Sequence, residues 1–389
     1  MRTSASRLSM PASSCRAFLL LIVLLSALRA EDAHVTLAIG SPAPDFALPG
    51  VDGQTHRLSD YATSPILAVV FTCNHCPTAQ LYEGRIKRIA ADYRDKGVAV
   101  VAIQPNDPNA LRIDEMEMSD MSDTLEEMKI RAEYRHFNYP YLYDGATQSV
   151  AEAYGPTATP HIFIFDKERK LRYEGRVDDN QRELLVKRSD ARIALDSLLA
   201  GKPVEMAHTG VFGCSTKWKY KESSRVEALR KIEAQPIGLE LLAPDKLKEL
   251  RANANGKLLL INFWTTSCAP CVTEFPDLQT TLRMYLTREF ALVTVSINAA
   301  GEQPDVVKFL ETQHATSRNL LFASPDTNAL QAAFGARWDI ALPYTMLIAP
   351  DGKVLYRREG EVDIFDLRRT ILANLDIDYA GFREYWVTR

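Results

Sequence analysis

Two long stretches of the chain carry the same succession of apolar and polar runs. The unbroken apolar run Ile66-Leu-Ala-Val-Val-Phe71 has the length of a strand buried on both faces, and Leu258-Leu-Leu-Ile-Asn-Phe-Trp264 is its counterpart. Each is followed by a helical pattern, over Ala79 to Arg94 and Glu274 to Thr287, and then by a second buried strand, Val98 to Ile103 and Phe290 to Ile297. Further on, a proline opens a strand in each copy: Thr159-Pro160-His-Ile-Phe-Ile-Phe165 and Leu342-Pro343-Tyr-Thr-Met-Leu-Ile348. The chain then turns back, through Asp166-Lys-Glu-Arg169 in one copy and through Asp351-Gly352, a strong hairpin signal, in the other. Both returning strands close on one phrase, Glu174-Gly175-x-Val177-Asp178 and Glu359-Gly360-x-Val362-Asp363, and a terminal helix is predicted over Arg182 to Leu199 and Ile364 to Leu375. The order βαβ, helix, hairpin, helix, given twice, predicts an α/β protein of two tandem units, each a mixed β-sheet flanked by helices.

Length agrees with that reading, since 389 residues exceed the roughly 100–200 of one domain. The expected layout is a signal peptide over 1–30, a first domain over 31–203, a tail and connecting region over 204–236, and a second domain over 237–389. The signal rests on Arg2 and Arg7, the apolar run Ala17 to Leu28, and Ala30 before Glu31-Asp32. That run is about a dozen residues, short of the roughly 20 that span a bilayer, which favours export to a periplasmic or other extracytoplasmic compartment over membrane anchoring by residues 17–28. A net charge of −4 with both signs interspersed leaves no basic stripe, so no nucleic-acid partner is expected. The first copy is longer between its cysteines and its proline; the acidic, Met-rich stretch Asp114 to Glu127 accounts for the excess and reads as a solvated loop and helix cap. A charged helix, Glu222 to Ala234, is predicted in the connecting region.

Six cysteines change the picture from architecture to chemistry. Cys15 precedes the apolar run and would leave with the signal; four of the others form two close pairs, Cys73/Cys76 and Cys268/Cys271, and Cys214 stands apart. Two cysteines three apart where a buried strand hands over to a helix put the first sulfur at the positive end of the helix dipole, where thiolate is stabilised. Cys73 and Cys268 are therefore the expected nucleophiles, and Cys76 and Cys271 the resolving thiols of disulfide exchange. A proline opening a strand, after Thr159 or Leu342, suits a cis peptide and a free backbone edge, so Thr159, Pro160, Leu342 and Pro343 are the expected substrate-binding positions. His75, inside the first pair, is placed to tune its pKa. Such a dithiol needs no cofactor. A zinc site is excluded by the wide separation of the pairs, while Cys73 and Cys76 with His161 form an alternative Cu(I) set in which the first domain is a metal-binding module. Cys214, between Gly213 and Lys217-Trp218, reads as a plain free thiol in a packed tail, with a resolving thiol for Cys73 or a third exchange partner as the alternatives.

Phe263-Trp-Thr-Thr-Ser-Cys268-Ala-Pro-Cys271-Val-Thr-Glu274-Phe-Pro276, with Pro343 downstream, resembles the exported TlpA/ResA-type thiol–disulfide oxidoreductases over residues 240–376. Residues 41–219, with Ser41-Pro-Ala-Pro-Asp-Phe46, Phe71-Thr-Cys73-Asn-His-Cys76-Pro-Thr78 and Gly213-Cys214-Ser-Thr-Lys-Trp218, resemble the redoxin (AhpC/TSA-related) branch of the thioredoxin superfamily. The resemblance implies two thioredoxin folds, catalytic dithiols and cis-prolines beside them. It also implies a role for Glu274 in the proton chemistry of the second pair. Asn262 stands where thioredoxins commonly have a buried Asp, and the first copy has Leu67 and Ala79 at the two acid positions. A peroxiredoxin-like peroxidase with the second domain as its reductant is the other alternative, although Pro77-Thr78 follow the pair where peroxiredoxins place Pro and Thr before the cysteine. The expected partners are disulfide-bearing proteins or small thiols and an unidentified electron donor. Tethering also favours a domain-to-domain relay, in which replacing Cys76 and Cys271 with Ser would trap a Cys73–Cys268 link or external mixed disulfides.

Overall fold

A computed structural model describes residues 34–335 and 338–387; the expected signal peptide lies outside the described residues. The first sheet is β3 (Ile66–Phe71), β4 (Val98–Gln104), β5 (Tyr141–Tyr143), β7 (His161–Phe165) and β8 (Leu171–Gly175), in the order β5-β4-β3-β7-β8, after a small hairpin of β1 (Ala47–Pro49) and β2 (Thr55–Arg57). The second runs β10 (Glu240–Leu241), β13 (Arg318–Leu321), β12 (Phe290–Ser296), β11 (Leu258–Trp264), β14 (Tyr344–Ile348) and β15 (Val354–Glu359). In both, the central strand pairs parallel with the next strand in sequence and antiparallel with the proline-opened one, so the sheets are mixed.

The continuous apolar runs are explained by burial on both faces. Alternate residues of β3 divide between two cores: Ile66, Ala68 and Val70 meet Tyr82, Ile86 and Ile89 of helix α1 (Pro77–Arg94), while Leu67, Val69 and Phe71 meet Phe46, Leu48 and Tyr154. In the second domain Leu258 and Leu260 pack on Leu278 and Leu282, and Leu259, Ile261 and Phe263 on Leu247, Leu330 and Phe334. Both hairpins form where expected, with Arg169 and Gly352 at positive φ in the turns.

The helices are α1, α2 (Leu125–Tyr134), α3 (Ser149–Tyr154), α4 (Asp190–Leu199), α5 (Glu222–Glu233), α6 (Leu247–Ala252), α7 (Ala269–Met284), α8 (Gln303–Thr312), α9 (Thr327–Phe334), α10 (Ile364–Asn374) and α11 (Phe382–Val387). The helix expected from Arg182 starts only at Asp190, because the Asp179 carboxylate takes the Lys187 N–H at 2.9 Å and its N–H bonds the Arg188 carbonyl, closing a loop.

The stretch Asp114 to Glu127 is corrected. Thr124 does cap α2, receiving the Glu127 N–H at 3.2 Å, but the segment is not solvated: Met116, Asp120, Met121 and Asp123 are buried. Met116 and Leu111 join the second domain's core, Tyr285 donates to the Ser119 carbonyl at 2.8 Å, and Asp120 pairs with Arg131 and with Arg369. Charge there satisfies a buried contact between domains.

Candidate functional site

In the second domain the sequence folds as its pattern says. Cys268 is the N-cap of α7: its carbonyl accepts the Val272 N–H at 3.1 Å and its sulfur the Cys271 N–H at 3.3 Å. Cys268 and Cys271 are joined as a disulfide, the first half-buried and the second buried, over a floor of Trp264, Phe275 and Leu310. Leu342 packs in the same cluster and is joined to the buried Pro343 by a cis peptide. One helical turn past Cys271, Glu274 is buried, accepting from Asn262 Nδ2 at 2.9 Å and from the Val362 N–H at 3.0 Å. Burial pushes its carboxyl up to about 7 against those two hydrogen bonds. Asn262 orients the acid rather than acting as one, and its amide also reaches Thr345 Oγ1 at 3.0 Å.

The first pair is built differently. Helix α1 begins three residues later relative to its cysteines: the first intrahelical bond, from the Gln80 N–H at 3.0 Å, goes to the Cys76 carbonyl, and Pro77 occupies the first helical position. Cys76, not Cys73, therefore sits at the helix N-cap. Both sulfurs are buried and neither is in a disulfide. Thr159, joined to Pro160 by the other cis peptide, faces both: its hydroxyl is 3.1 Å from Cys73 Sγ and its carbonyl 3.3 Å from Cys76 Sγ. The backbone edge expected to be free is not. Thr159 and Ala158 form β6 (Ala158–Thr159), paired antiparallel with Cys214 and Ser215 of β9 (Cys214–Ser215), and the Cys214 N–H donates to Cys76 Sγ at 3.2 Å. Cys214 thus belongs to this centre.

An acid is also present, from a place the local pattern did not mark. Asp123 accepts from His75 Nδ1 at 2.6 Å, from the Asn74 and His75 N–H groups at 2.8 and 3.1 Å, and from Asn106 Nδ2 at 2.8 Å. Burial works against its charge, but the His75 charge and these donors hold the carboxyl below its ordinary value. Burial likewise disfavours the His75 imidazolium, and Asp123 outweighs it, raising the pKa. At Cys76, burial is overcome by hydrogen bonds from Cys214 and Cys73 and by the His75 charge, so this thiol lies well below its usual range. Cys73 is pushed well above its own by burial and by its bond to Cys76. The His75 charge acts on the Cys76 thiol, lowering it.

His161 is not part of this cluster. Its Nε2 lies 2.8 Å from Glu174 and its Nδ1 takes the Thr157 N–H at 3.4 Å, so the Cu(I) set of Cys73, Cys76 and His161 is not assembled. Among the described residues, the ligand-type atoms that converge are those of Cys73, His75 and Asp123.

The profile of the AhpC/TSA family matches residues 39–174, and that of the Redoxin family matches residues 232–369. The chain belongs to the thioredoxin superfamily. Its two thioredoxin-type domains stand in tandem, and it is an oxidoreductase of the thioredoxin type. Among curated relatives it is 28% identical over 138 residues to the thiol–disulfide oxidoreductase ResA of Geobacillus thermodenitrificans, covering 35% of this chain and 68% of that one. It is 27% identical over 130 residues to the thiol:disulfide interchange protein HelX of Rhodobacter capsulatus, covering 33% and 64%. Among solved structures, a hypothetical protein of Sinorhizobium meliloti 1021 is 37% identical, with 48% of this chain and 97% of that one covered and a TM-score of 0.43.

Proposed function

We propose that the chain is an exported thiol–disulfide oxidoreductase whose working centre is Cys268/Cys271, acting on disulfide-bearing proteins or small thiols. The observation that carries this reading is the half-buried Cys268 at the N-cap of α7, one turn and a half from a buried carboxyl that titrates near neutrality. In the reduced centre the Cys268 thiolate attacks a partner disulfide, forming a mixed disulfide and releasing one partner thiolate. Cys271 then gives its proton to Glu274 and attacks Cys268 sulfur, releasing the second partner thiolate, so two electrons pass to the partner and the Cys268–Cys271 disulfide closes. Leu342 and Pro343 flank the approach, and an external dithiol restores the centre. No cofactor enters this cycle.

Export is supported by the charged, apolar and small-residue pattern of residues 1–30. Among the described residues no helix is long and apolar enough to cross a membrane. The first pair is proposed as a second dithiol rather than a peroxidase site, because Cys73 and Cys76 are both enclosed. Reduction of insulin by the full chain tests the reading: replacing Cys268 with Ser should lower the rate at least about tenfold, and a rate unaffected by that change overturns it. Fractionation of cells making a C-terminally tagged chain, with N-terminal sequencing of the product, tests export.

A further inference from the structure

In the second centre Cys268 is half-buried, whereas the first centre buries both members of its pair. Cys73 is 3% exposed and Cys76 not at all, and the half-buried cysteine of this centre is Cys214. Cys73, Cys76 and Cys214 form one cluster with Ala79. Cys214 is held there by the backbone on both sides. It pairs with Thr159 across β6 and β9, and Gly213 lies so close under the Thr159 carbonyl that a Cβ would collide with it. Beyond it, Thr216 Oγ1 donates to the Pro156 carbonyl at 2.9 Å, the Lys217 N–H to Asn106 Oδ1 at 2.8 Å, and Trp218 is buried. Such fixation is more than a free thiol requires.

We propose that Cys214 is a third redox cysteine of the first centre, carried by an internal strand, through which Cys76 and the enclosed Cys73 exchange electrons with an external disulfide. The proposal rests on the oxidoreductase reading above. The Cys214 thiol passes its proton to the Cys76 thiolate as its sulfur attacks the external disulfide, giving a mixed disulfide and one released thiolate. Cys76, giving up that proton to the released thiolate, attacks Cys214 sulfur, expels the second external thiolate and forms Cys76–Cys214. Cys73 then attacks Cys76 sulfur, its proton returning to the departing Cys214 thiolate, and Cys73–Cys76 closes. Two electrons leave the protein and one external disulfide becomes a thiol and a thiolate, the latter taking its proton from solvent.

The test uses the full chain, reduced, desalted and exposed to oxidised glutathione, then alkylated and mapped as non-reduced peptides. With Cys73→Ser the cycle stops one step early, and a linked Cys76–Cys214 peptide is expected. Recovery of Cys76 and Cys214 only as alkylated or glutathionylated residues overturns the proposal, as does a stoichiometric metal ion that occupies the three thiols and prevents the link. With Cys214→Ser, closure of Cys73–Cys76 should slow by at least about tenfold, because the accessible entry thiol is gone; an unchanged rate overturns the proposal. The Cys268–Cys271 peptide in the same digests reports separately on the general reading: if it fails to exchange while Cys76–Cys214 forms, the general reading fails and the role of Cys214 stands.

Discussion

Glu274 and Asp123 are both buried carboxyls beside cysteine pairs, and their surroundings drive them in opposite directions. Glu274 has two hydrogen bonds and, among the described residues, no cation in contact, so burial prevails and its folded value, about 7, lies above that of an unfolded Glu. Its contribution to stability is therefore present below about 4.3, the unfolded value, and lost as pH rises through about 7. Glu274→Gln removes this loss: relative to the parent, the variant should gain stability between pH 5 and pH 8 in urea denaturation, and reduction of Cys268–Cys271 by dithiothreitol should lose its inflection near neutrality. Asp123 faces a cation and three further donors and stays ionised. With Asp123 lowered and His75 raised, the pair stabilises most between about 4 and 6.5, the unfolded carboxylate and imidazole values. Its contribution fades as pH falls through the folded value of Asp123 or rises through that of His75. Asp123→Ala strands a buried imidazolium and should cost about 3–5 kcal/mol, measured at pH 6 by denaturant titration. Glu274 was marked by the resemblance of its motif, three residues past Cys271, whereas Asp123 is 48 residues from His75 with no periodicity joining them.

Among the elements, the central strands and both hairpins could be read directly, because burial on two faces and turn chemistry are local properties. The start of a helix is less so. The motif Cys-x-x-Cys is common to both copies, yet Cys268 caps α7 whereas Pro77 moves the start of α1 to Cys76; Pro at the first helical position was the available signal. The occupied edge beside Thr159 was not legible, since β9 is two residues long and comes from the tail of the domain. Its seat depends on Gly213, at φ +143 beneath the Thr159 carbonyl. Gly213→Ala should destabilise the domain by about 1–3 kcal/mol through strain at that position and lift β9 from β6. Alkylation of Cys73 and Cys76 in the reduced protein should then become faster; an unaltered alkylation rate with normal stability would show that β9 does not close the site.

At the scale of the whole molecule, the tandem repeat was written plainly in the sequence, but the way the copies meet was not, because part of the contact is made by an insertion that only the first copy has and the rest by single polar pairs between α1 or α2 and the C-terminal segment. Asp120 holds Arg131 and Arg369, Tyr385 bridges Glu83 at 2.7 Å and Arg131 at 2.6 Å, and Tyr379 reaches Thr78 at 2.6 Å. On the second domain these contacts come from Tyr285 just past the end of α7, from α10 and from the C-terminal segment, and Leu111 and Met116 pack into the cluster that holds Leu278 and Leu282 of α7. Cys268 starts α7, and Tyr285 follows its end; 16 helical residues span about 24 Å. Thiol–disulfide exchange requires sulfur contact, so this docking does not favour a direct relay between the pairs, however high the effective concentration of a tether. The double variant Cys76→Ser, Cys271→Ser separates the cases. Oxidised with glutathione disulfide at low protein concentration, it should carry glutathione on Cys268 and yield no Cys73–Cys268 peptide in non-reduced maps. If that link does form, the domains must part and re-dock during turnover, and weakening the interface with Asp120→Ala should then accelerate its formation.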